Sequence, residues 1–159
     1  MRESWFLELD GIAGESVDDP HPGEIEIHSW SWGVASSTSG PAGGVGGAGK
    51  AIVDDFQFTT HVSSASPPLL LACANGRRIG SATLTGVRSG GAGAPFTFLT
   101  YALRDVVIAS VHHGDATGGA PLEQFAVRAA TVEVTYRRQL PTGAAAPAVT
   151  ATVGVGKGR

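Results

Sequence analysis

Apolar residues recur at every second position over most of the chain. Trp5, Leu7 and Leu9 alternate with Glu8 and Asp10, and Ile25 and Ile27 alternate with Glu24, Glu26 and His28. A period of two belongs to a β-strand whose faces meet different surroundings. Trp30 and Trp32 fall in phase with Glu26 and His28, so a single strand over 24–34 predicts an outer face that turns from acidic to aromatic. Further strands are predicted over 51–62, with Phe56 and Phe58 on one face, and over 79–88, 96–103 and 105–111. Another runs over 125–136, with Val132, Val134 and Tyr136 on one face. Val149, Ala151, Val153 and Val155 alternate in the tail and predict a last short strand.

One segment breaks the period. Residues 66–76 read Ser-Pro-Pro-Leu-Leu-Leu-Ala-Cys-Ala-Asn-Gly. Ser66 suits an N-cap, Pro67 suits the first helical position, where its missing donor costs nothing, and Gly76 suits the left-handed residue after a helix. A helix this short is marginal by itself, so packing through Leu69 and Leu70 is expected to hold it. One helix and seven or eight strands predict an all-β fold, mainly β with one short helix, arranged as a single-domain β-barrel. Closure removes strand edges that would otherwise aggregate; a two-sheet sandwich is the alternative. Residues 1–140 make the barrel domain, and 141–159 an Ala/Gly/Thr-rich tail that carries the last strand. Glycine-rich residues 36–50 have no apolar pattern, and long loops of this kind are often functional.

Composition narrows the function. Of 159 residues, 42% are hydrophobic and 16% charged. That makes a globular chain whose neutral surface suits self-association. The net charge of −3 leaves no basic face for nucleic acid, and the pairs Arg77–Arg78 and Arg137–Arg138 read as solvated ends of elements. Cys73 is the single cysteine; no intramolecular disulfide can form, and its apolar neighbours mark it as a core residue. The first residues carry Glu3, Glu8 and Asp10 and lack the apolar core of a signal peptide. Nor does any stretch approach the ~18 apolar residues of a membrane span. The expectation is a protein made in the cytoplasm and secreted, if at all, without a signal peptide.

Candidate chemistry is sparse. Gly44, Gly49 and Lys50 match a phosphate loop except that Ala51 stands where its hydroxyl residue belongs, and a strand rather than a helix follows. His112 and His113 are adjacent, so on a strand they face opposite ways and cannot readily chelate one ion. Asp18–Asp19 and Asp54–Asp55 are neighbouring carboxylates, not an opposed acid and base. No catalytic residue, metal or cofactor is assigned. Paired tryptophans on a strand fit packing or an interface better than a ligand platform. The interface candidates are Gly43, Gly44, Val45, Gly46, Gly47, Lys50, Trp30 and Trp32.

Several segments together resemble one family. Leu9-Asp10-Gly11-Ile12-Ala13-Gly14-Glu15-Ser16 is similar to its opening motif, and Gly23-Glu24-Ile25-Glu26-Ile27-His28-Ser29-Trp30-Ser31-Trp32-Gly33 to its second strand. The glycine-rich stretch ending at Gly49-Lys50, the helix ending Ala72-Cys73-Ala74-Asn75-Gly76, and Val132-Glu133-Val134-Thr135-Tyr136 with Gln139 follow in the family's order. Ala129 and Arg138 depart from it, standing where a larger apolar residue and a proline are common. The chain thus resembles the haemolysin-coregulated protein (Hcp) family of type VI secretion tube proteins. The resemblance implies a structural protein of protein transport, not an enzyme: a homo-hexameric ring that stacks into a tube, with sheath, spike and effector proteins as partners and neither nucleic-acid binding nor membrane insertion. It also implies that the long loop reaches a neighbouring subunit. A tube protein of a related contractile injection device and a β-sandwich ligand-binding module are the alternatives.

Overall fold

The fold is seen in a computed structural model that describes residues 2–36, 51–89, 94–115 and 118–154. Gly43, Gly44, Val45, Gly46, Gly47 and Lys50 lie outside these residues. In chain order the described elements are β1 (Arg2–Leu9), β2 (Ile25–Ile27), β3 (Ser29–Ser31), β4 (Val34–Ser36), β5 (Ala51–Val53), β6 (Phe56–His61), α1 (Ser66–Asn75), β7 (Ile79–Ser89), β8 (Phe96–Gly114), β9 (Leu122–Tyr136) and β10 (Val149–Gly154).

Pairing explains how the sheet closes. Strands run in the order β2-β1-β7-β8-β9-β6-β3, every pair antiparallel. Only His28 separates β2 from β3, so both ends of the path fall on one short stretch of chain. At this seam the His28 N–H donates to Thr59 O at 2.9 Å, and Thr60 Oγ1 donates to Glu26 O at 2.6 Å. The result is a nearly closed barrel. β10 pairs with β9 off this path, and β4 and β5 form a separate two-stranded sheet. The odd-numbered apolar residues of β1 and β2, with Phe56, Phe58, Leu84, Leu103, Phe125, Val127 and Val132, fill the interior. Each such side chain contributes about 1.5–3 kcal/mol by leaving water.

Three expectations need correction. The strand over 24–34 is broken by a bend at His28. The bend shifts the alternation by one residue, so Trp30 and Trp32 turn in against the core instead of continuing the face of Glu26 and His28. A one-residue shift always exchanges the two faces of a strand. The strand over 51–62 is likewise split, at Asp54 and Asp55. Conversely, 96–103 and 105–111 belong to one strand, β8, which passes through Asp105 at φ 52° and a register shift between Ile108 and Ser110.

The helix is where the sequence placed it, with a different cap. Ala65 is the N-cap and makes no side-chain capping bond. Ser66 Oγ accepts from the Ser63 N–H at 2.9 Å instead, which ties the turn before the helix. Gly76 ends the helix at φ 62°, and the Arg77 N–H donates to Ala72 O. Leu69 and Ala72 are buried, but Leu70 and Leu71 are 44% and 62% exposed. Leu70 therefore does not anchor the helix: at 3.6 residues per turn, 69 and 72 share a face that 70 and 71 lie outside.

Candidate assembly surface and its aromatic support

Trp30 and Trp32 enter an aromatic cluster that spans the seam. Trp30 meets Trp5 and Tyr101 edge-on, each at 5.0 Å between ring centroids. Trp32 stacks on Phe56 at 5.0 Å and 6°. Phe56 in turn contacts Phe58 at 5.8 Å and Tyr101 at 5.4 Å. Edge-on and offset rings add attraction beyond simple burial. The cluster holds the short strand β3 to β6 and β8, where backbone pairing alone is brief. Beside Trp32 lies a cavity of about 60 Å³ lined by Asp54, Asp55, Phe56 and Arg128. Arg128 donates to both oxygens of Asp55, at 3.0 and 3.1 Å, and that carboxylate raises the guanidinium's pKa. The pair sits at the surface, where water screens it, so its stabilisation is at most about 1 kcal/mol.

Tyr101 gives the cluster a spectroscopic signal. Burial pushes its phenol above the ordinary tyrosine value because the phenolate would lose its water. A pKa raised by folding means that the folded state favours the neutral phenol. This contribution is complete below the ordinary value and is lost as pH rises through the folded one. Alkaline difference absorbance should therefore show a late phenolate step that Tyr101→Phe removes. An unchanged titration of that variant would place the late step elsewhere.

Four of the five histidines fall into three unlike settings. His21 stacks on Phe6 at 4.7 Å and bonds Glu24 at 3.1 Å, covering an aromatic ring on the outer face of β1. His28 meets His61 edge-on at 4.5 Å, across the seam. His113 Nε2 lies 2.7 Å from Glu123 Oε2, and Glu123 is fully buried. Glu123 is a buried carboxylate that is not among the sequence-derived candidates. Its signal was present: it shares the phase of Phe125 and Val127, so a carboxylate stands in an apolar row. Among the described residues no group of three or more His, Cys, Asp or Glu is arranged to hold a metal.

The surface itself is polar and shallow. One cleft of about 290 Å³ is lined by Glu15, Glu26, His28 and His61 among others. A second, of about 440 Å³, lies between Arg2, Phe6, Asp18 and Glu26. The hydroxyls lining the first cleft bond to the backbone: Thr60 Oγ1 donates to Glu26 O, while Ser16 Oγ and Ser63 Oγ accept from the N–H groups of Asp18 and Ala65. Exposed apolar side chains include Val17, Ile52, the neighbours Leu70 and Leu71, and the cross-strand pair Val149 and Tyr136.

The family model described as type VI secretion system effector, Hcp, matches residues 6–136. Protein hcp1 of Pseudomonas aeruginosa is 36% identical over 145 residues, covering 91% of this chain and 89% of that protein. A solved type six secretion system protein superposes with a TM-score of 0.88 at 27% identity, covering 96% of both chains. The crystal structure of Hcp1 from Salmonella typhimurium gives 0.76 at 30% identity, covering 97% of this chain and 95% of that one.

Proposed function

We propose, from the premise that the chain belongs to the Hcp family of type VI secretion proteins, that it is the ring-forming subunit of a secretion tube. It is a type VI secretion tube protein with a β-barrel fold; the ring, its stacking and its cargo are the proposal. Six copies associate head to tail into a closed ring, rings stack inside a contractile sheath behind a spike, and the lumen carries effectors. The observation that carries this reading is the family match over residues 6–136. No helix among the described residues is long and apolar enough to cross a membrane.

Such a subunit has no transition state to stabilise; its work is association. A head-to-tail interface closes into a ring when its rotation divides a full turn, and otherwise grows into a filament. A chain with 16% charged residues presents few charges to desolvate at the contact. Electron microscopy of the purified protein should reveal rings, with short stacks at high concentration. A stable monomer under those conditions would remove the reading. From sequence, Gly43, Gly44, Val45, Gly46, Gly47 and Lys50 are proposed to reach the adjoining copy, with Trp30 and Trp32 beneath the contact. Deleting Val45 to Ala48 should therefore weaken stacking while leaving the barrel's melting temperature nearly unchanged. Tubes that assemble normally without these four residues would exclude that role.

A further inference from the structure

The closed path of strands runs from β2 to β3 without using β10. β10 is attached to the outside of that path, on the carboxyl-terminal half of β9, from Val149↔Tyr136 to Gly154↔Thr131. β6 takes the other half of the same side of β9, from Phe56↔Val127 to His61↔Leu122. The barrel is thus complete before β10 begins, and the family match ends at the last residue of β9.

Among the described residues, β9 is the sole pairing partner of β10. The other edge presents backbone donors and acceptors along a strand of six residues, Val-Thr-Ala-Thr-Val-Gly. Proteins protect such edges with charge, proline or a covering element, because a bare edge templates another strand. β10 has neither charge nor proline. Val149 is 70% exposed, and only Val153 of the six is even half-buried.

We infer that the open edge of β10 is an assembly edge, which adds to a β-strand of a second copy of this chain and extends the sheet across the subunit boundary. The inference rests on the ring reading above. Main-chain bonds supply affinity in strand addition, and the small uncharged side chains let the strands approach. Pairing of β10 with β10 would be two-fold and would stop at a dimer, so a ring needs a different acceptor edge. The Arg2–Ser4 stretch of β1 is such an edge: it runs past β2, pairs among the described residues only with β7, and borders the cleft of about 440 Å³.

The test uses the full chain, a chain ending at Ala148, and two proline variants, Ala151→Pro and Thr152→Pro. The truncation keeps the bond from the Ala146 N–H to Arg138 O that ties down the preceding segment. Neighbouring residues of a strand point their N–H groups to opposite edges, so one proline removes a ladder donor to β9 and the other a donor on the open edge. Native mass spectrometry reads assembly, and circular dichroism reads folding. The expected result is a truncated chain that melts cooperatively but associates about tenfold or more weakly, with one proline variant behaving the same way. Should the truncated chain fail to fold, the outward-facing proline variant decides. Full assembly by the truncated chain, or by both proline variants, overturns the edge proposal and leaves the ring reading standing. A full chain that remains monomeric fails the ring reading first, and the edge proposal with it.

Discussion

Phe56→Ala is expected to lower the unfolding free energy by about 3–5 kcal/mol, the range for truncating a large aromatic in a packed interior. Phe56 is 1% exposed and its ring touches Trp30, Trp32, Phe58 and Tyr101. The cavity would open beneath the seam, where β3 offers only three residues to hold β6. In a chain of this size each kcal/mol moves the melting temperature by about 2–4 °C, so a fall of about 10 °C is expected. Denaturant unfolding of the wild type and variant measures the loss directly. Arg128→Ala, which breaks only the exposed pair with Asp55, serves as a control and should cost at most about 1 kcal/mol. A loss below about 1 kcal/mol for Phe56→Ala would mean that the aromatic cluster relaxes into the gap and does not support the seam.

The same seam marks the limit of what the sequence discloses. Alternation in Trp5–Leu9 and in Phe56–Phe58 predicted inward faces that the barrel then buries, because a half-buried strand has no other stable pattern. The helix was legible through Pro67 and Gly76. Pattern alone could not locate the bend at His28. Local residues do not force it; it arises because one stretch must pair with β1 and then cross to β6, a demand set by strands distant in sequence. The tryptophans consequently looked like an outer stripe, although closure turns them inward. Glu123 was hidden differently: its partner, His113, lies ten residues away across a strand pair, a contact that pairing register creates and single-residue chemistry does not announce. Family resemblance filled part of this gap, because the order of short motifs carries information on pairing that each motif lacks.

Gly86 supplies the second large expectation, and it is conditional. Gly86 lies opposite Trp5 in the register of β1 and β7, next to a register shift between Gly86 and Val87. A Cβ placed on Gly86 would collide with Trp5 Cζ3 and come within 2.7 Å of Cη2. The indole fills the space that the missing side chain leaves, as glycine in a strand often permits. It cannot easily retreat, because Trp30 lies at 5.0 Å and Phe98 at 5.6 Å, with the Arg88 guanidinium 3.9 Å above the Phe98 ring. Gly86→Ala should therefore destabilise the protein by about 1–3 kcal/mol, as overpacking does. In a Trp5→Leu background the obstacle is gone, and the same substitution should be neutral or stabilise by about 0.5–1 kcal/mol, because alanine loses less freedom than glycine on folding. The double-mutant cycle then shows a coupling of about 1–3 kcal/mol. Equal effects of Gly86→Ala in the two backgrounds would show that backbone conformation, and not the tryptophan ring, requires glycine there.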